Sequence, residues 1–115
     1  MGDPAWSTEE LMTFSVTHVD GSMEQPNDLS ELSALLRELA FASAEHGDVA
    51  VGHESGWSLT VLARGRIVWE NVEDGDAPQH LDGLSDDAIL GLMALVALGE
   101  ISAVSDRRWL PGYGS

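Results

Sequence analysis

The spacing of apolar side chains along this chain switches between a period of two and a period near 3.6, and those switches limit the fold more than any other feature. Met12, Phe14, Val16 and His18 alternate with Thr13, Ser15 and Thr17, which places one apolar face on a first strand that Asp20-Gly21 ends. Leu29, Leu32, Leu36 and Leu39, with Leu35 alongside, then follow the spacing of an amphipathic helix. Asn27 and Asp28 precede it, Asp28 and Glu31 form a capping box, and Gly47 after His46 supplies a left-handed stop. Val49 and Val51 return to the strand period, Ser55-Gly56 makes a turn, and Trp57, Leu59, Val61 and Ala63 form the inward face of a third strand.

Arg64-Gly65-Arg66 is the next turn, and it leaves two pairings open. A two-residue loop sets Val61 opposite Val68, and a three-residue loop sets it opposite Trp69. The longer loop is favoured because it puts Ile67 and Trp69 on the face of Trp57 and Leu59, and a slip of one residue would turn them outward. From Asn71 to Gly83 the pattern breaks down among acids, Gly75 and Pro78, which predicts a long surface loop. Ser85 then caps a second helix whose first turn carries Asp86 and Asp87. Ile89, Leu90, Leu92, Met93, Leu95, Val96 and Leu98 leave that helix almost no polar face, so it is expected to be buried, with Gly91 allowing close approach and Gly99 ending it. Ile101, Ala103 and Val104 suggest a last short strand before an aromatic tail from Trp109 to Gly114.

Together these elements predict a single α+β domain over residues 1–115, with 1–10 and 111–115 as flexible ends. Its expected core is a mostly antiparallel sheet of four to five strands in the order β-α-β-β-β-α, with two helices on one face. Hydrophobic residues make up 43% of the chain, enough for one core, and the absence of cysteine leaves packing alone to hold it. The N-terminus shows no basic region leading into an apolar run, and the longest uncharged apolar run, Ala88 to Gly99, is well short of the ~20 residues that span a bilayer. A cytoplasmic location without membrane contact is the expectation.

Charge restricts the partners. Twenty acidic side chains stand against five arginines and no lysine, for a formal net charge of −15. No arginine lies between Arg66 and Arg107, and Glu70, Glu73, Asp74, Asp76 and Asp82 fall within that stretch. Such a field repels nucleic acid and anionic lipid and attracts basic proteins. A solubility role, or adaptation of the whole genome's composition, would produce acidity of the same kind.

Chemical motifs compete weakly with this reading. None of His18, His46, His53 and His80 sits in a catalytic motif. His53-Glu54 begins like a zinc-protease sequence, but Trp57 occupies the place of the second histidine. His18 and His53 could face each other on adjacent strands, which is more often simple packing. Glu73-Asp74-Gly75-Asp76 has carboxylates around a glycine but lacks the ligand spacing of a calcium loop. Neither a glycine-rich phosphate cradle nor a Gly-x-Ser-x-Gly elbow is present. No catalytic residue, metal or cofactor is therefore expected. Trp57 and Trp69 fit strand patterns as core residues, whereas Trp6 and Trp109, the latter after Arg107-Arg108, are candidate exposed anchors. The alternative for Trp109 is that it folds back over an edge of the core.

The leucine-rich helix from Leu29 to Leu39, the strand pair with Trp57, Gly65 and Trp69, and the late segment from Leu84-Ser85 through Leu92 to Gly99 and Trp109 form one pattern. Over residues 28–110 it resembles a small actinobacterial family of immunity proteins from polymorphic toxin systems, which opposes deaminase and nuclease-like toxins. The resemblance implies a non-enzymatic inhibitor that occupies the active site of a basic toxin, as a monomer or homodimer. Glu70, Glu73, Asp74, Asp76, Asp82 and Trp109 are the expected contact residues. An acidic adaptor or DNA-mimicking regulator of a basic protein is the alternative.

Overall fold

A computed structural model describes residues 14–25, 29–40, 47–62, 65–71 and 73–112. Trp6, Met12, Thr13, Asn27, Asp28, His46, Ala63, Arg64 and the tail from Tyr113 lie outside the described residues. The elements run β1 (Phe14–Thr17), β2 (Met23–Glu24), α1 (Ser30–Ala40), β3 (Asp48–His53), β4 (Trp57–Leu62), β5 (Ile67–Asn71), β6 (Asp76–Leu81), α2 (Asp86–Ala97), α3 (Ile101–Ser105) and β7 (Leu110–Pro111). All strand pairs are antiparallel in a seven-stranded sheet of order β2-β1-β3-β4-β5-β6-β7. The class is α+β, with more strands and one more described helix than the sequence predicts.

Alternation decides which face the core takes. Phe14 and Val16, Val49 and Val51, Leu59 and Val61, and Ile67 and Trp69 are all buried on one side of the sheet. Against them pack Leu32 and Leu35 from α1, Ile89, Leu92, Met93, Val96 and Ala97 from α2, and Val104 from α3. On the other side stand small or hydroxylated residues, among them Ser15, Thr17, Ala50, Gly52, Ser58 and Thr60. α2 ends as its sequence indicates. Gly99 has a φ of 80°, its N–H donates to Val96 O, and the N–H of Glu100 donates to Leu95 O, the paired bonds of a Schellman stop. At the other end the Ser85 hydroxyl accepts from Ala88 N at 3.2 Å.

Three expectations need correction. The turn between β4 and β5 sets Val61 opposite Ile67 and Leu59 opposite Trp69, not Val61 opposite Trp69. A shift of two residues preserves the face, so the expected grouping of Ile67 and Trp69 with Leu59 is unaffected. Gly65 sits in this turn at φ 79°, where a Cβ would come within 2.7 Å of the Leu84 carbonyl oxygen. The segment from Asn71 to Gly83 is not one long loop, because Asp76–Leu81 forms β6 against β5. Pro78 masks the strand in the sequence, yet its carbonyl accepts from Gly112 N at 2.9 Å, so its donorless nitrogen faces the β7 side and spares the ladder to β5. Finally, Ile101–Ser105 is a helical turn rather than a strand. Val104 reaches the core three residues after the half-buried Ile101, while Ser102 and Ala103 are exposed, which only a helical period permits.

Candidate functional site

The expected contact residues do not form one surface. Glu73 and Asp74 are exposed at the tip of the β5–β6 hairpin, with Gly75 at φ 74° completing the turn. Asn71 holds that tip: its amide donates to Asp74 Oδ2 at 3.2 Å and to Ser55 O at 3.2 Å, while its Oδ1 accepts from Asp74 N at 3.1 Å. These bonds use the Asp74 carboxylate as part of a turn. Asp76 opens β6 opposite Asn71, and Glu70 pairs across β4 with Ser58 on the face away from the core.

Asp82 lies past the other end of β6, and a six-residue strand spans ~20 Å. Its carboxylate receives Arg66 Nε at 2.5 Å and a second guanidinium nitrogen at 3.3 Å, with His80 Nε2 3.8 Å away. The Arg66 hydrogen bonds hold the Asp82 carboxyl below its ordinary value. Its charge is paired with Arg66 within the chain, and the pair is partly exposed.

Trp109 folds back over the core edge rather than standing free. It is half-buried, its ring lies 6.2 Å from that of Trp69 at 16°, and its Nε1 donates to Val104 O at 2.8 Å. Trp69 in turn stacks on Trp57 at 4.7 Å and 16°, and its Nε1 donates to Ser105 Oγ at 3.1 Å. Trp69 thus stacks against both other indoles and is itself buried, while Trp57 and Trp109 are half-open. Trp57 and Trp109 also line one cleft of about 340 Å³, together with Ala77, Pro78, Gln79 and Pro111. The acidic hairpin borders its Trp57 end, since Asn71 pairs with Trp57 and a Cβ at Gly56 would meet the Glu73 side chain at 3.2 Å. Exposed Arg107 and Arg108 precede Trp109 in the chain.

The sequence pattern groups Trp57 with Trp69 on one sheet face but gives no sign that Trp109 joins them. Only the pairing of β6 with β7, Gln79 opposite Pro111, brings them into one cleft.

The described histidines are all engaged. His18 does not face His53, because register places His53 opposite Phe14. His53 Nδ1 instead lies 2.9 Å from Ser55 Oγ and accepts from Ser55 N at 3.1 Å, a local turn bond. His80 Nδ1 is 3.1 Å from Gly112 O. His18 joins three elements: its Nδ1 is 2.6 Å from Glu38 on α1, its Nε2 bonds Glu24 on β2, and Glu38 also accepts from Val19 N at 3.2 Å. Hydrogen bonds to Glu38 and then Glu24 raise the His18 pKa above 6.5, because both ring nitrogens donate to carboxylates.

A group whose pKa is raised on folding contributes stability below its unfolded value and loses it as pH rises through its folded value. His18→Gln is accordingly expected to cost stability near pH 6 and progressively less as pH rises above the raised value. Chemical denaturation across pH 5.5–9 checks this, and a cost that does not change with pH would contradict the ion-paired geometry.

Comparison with protein-family models, with curated proteins and with solved structures returns no match to this chain. None of the described helices is long and apolar enough to cross a membrane.

Proposed function

We propose that the chain is a non-enzymatic binding protein that docks on a basic protein, and that it acts as an immunity-type inhibitor covering the active site of a basic toxin. One observation carries the reading: in a chain of formal charge −15, a hairpin tip with two exposed carboxylates lies next to the strand end that carries Trp57, one of two half-open tryptophans lining a cleft. Long-range charge brings a basic partner in and disfavours anionic ones. Indole faces then supply the short-range energy, since Trp and Arg dominate interface hot spots. Glu73, Asp74 and Asp76 are the steering residues of this account, with Glu70 behind them on the reverse face and Trp109 as the anchor.

Affinity capture from the native cell, read by mass spectrometry, tests the proposal. The expected result is one enriched protein of strongly basic composition whose toxicity the chain suppresses. Capture of an acidic or neutral partner in stoichiometric amount would contradict it.

A further inference from the structure

Net charge explains attraction but not what fits between the tryptophans. The cleft floor is small and nearly neutral: Ala77 contributes only a methyl group, and Gln79 is the one side chain there with amide hydrogen-bonding capacity. Two of its lining residues are half-open indoles, whose ring faces bear negative π density, and the Glu73 side chain lies beside Gly56, the residue before Trp57. A planar cation suits these surroundings better than a compact one. Guanidinium stacks on indole while its in-plane N–H groups remain free for carboxylates and amides, whereas an ammonium keeps its hydration shell and offers no plane to stack.

We infer that the cleft lined by Trp57 and Trp109 receives an arginine side chain of the basic partner, stacked on Trp57 and turned toward Glu73. This rests on the acidic-docking reading above and names the partner group that the cleft selects.

The test uses hexaarginine and hexalysine peptides titrated into the protein at low and physiological salt, read by the indole N–H resonances in NMR. Hexaarginine is expected to bind at least about fivefold tighter than hexalysine at equal salt, with saturable shifts at Trp57 and Trp109. The preference should disappear in Trp57→Ala. Where that variant is too unstable, Ala77→Leu, which fills the cleft from an exposed strand position, should also remove it. Arg107→Ala with Arg108→Ala should leave the preference intact.

Equal binding of both peptides, salt-sensitive and indifferent to Trp57 and Ala77, would overturn the arginine pocket and leave the acidic-docking reading standing. Failure of either peptide to bind at low salt would remove that reading as well. If the protein is a dimer in sedimentation and Ala77→Leu dissociates it, the cleft belongs to a second copy and the inference fails.

Discussion

Trp69→Ala is expected to lower the unfolding free energy by ~3–5 kcal/mol, the range for removing a buried tryptophan. Trp69 has no exposed surface, stacks between Trp57 and Trp109, and bonds Ser105 through Nε1. Alanine there leaves a void that neither neighbour can fill, because Trp57 is fixed by its strand and Trp109 by its bond to Val104 O. Small domains carry ~5–15 kcal/mol in total, so the variant should sit near the edge of folding. Urea titration followed by circular dichroism measures this, and a loss below ~1 kcal/mol would mean that the indole stack is not the centre of this end of the core. Since Trp69 holds both walls of the cleft, the residual folded protein should also lose partner binding.

Neutralising the hairpin should separate stability from binding. Glu73→Gln, Asp74→Asn and Asp76→Asn together are expected to leave the circular dichroism spectrum and melting temperature close to those of the parent. Glu73 and Asp74 are exposed, and asparagine at position 74 keeps an acceptor for the Asn71 amide. Partner affinity should fall at least ~10-fold, about 1.4 kcal/mol. Exposed ion pairs are often worth under ~1 kcal/mol each, so a loss of this size requires the three acids to act together. Unchanged affinity in a folded triple variant would assign these acids to solubility.

Much of the architecture is visible in the residues because local signals and burial agree. Alternation at Val49–Val51 and Trp57–Val61, the Ser85 cap, and Gly99 as a left-handed stop each correspond to a strand, cap or helix end in the structure. β6 was hidden because Asp76, Pro78 and His80 give no apolar alternation, and its pairing depends on β5 and on a β7 distant in sequence. Ile101–Ser105 is too short for periodicity to distinguish helix from strand, and contact of Val104 with the core decided it. The acids of the site were legible as residues but not as a surface. Strand β6 carries Asp82 away from Glu73 and Asp74, and Arg66 pairs with it. Nothing in the one-dimensional pattern places Trp57 opposite Trp109 or joins His18 to Glu24 and Glu38, because those contacts arise only when separate elements close on one another.

The central claim is that charge on this chain guides a basic partner to the hairpin and cleft. The most direct measurement is the association rate with the captured partner as ionic strength rises from ~10 mM to ~150 mM, where the Debye length shrinks from ~30 Å to ~8 Å. The parent should show a steep fall in association rate with a much smaller change in dissociation rate, and the triple hairpin variant a visibly shallower fall. An association rate independent of salt in the parent, or the same steep dependence in both proteins, would contradict the account.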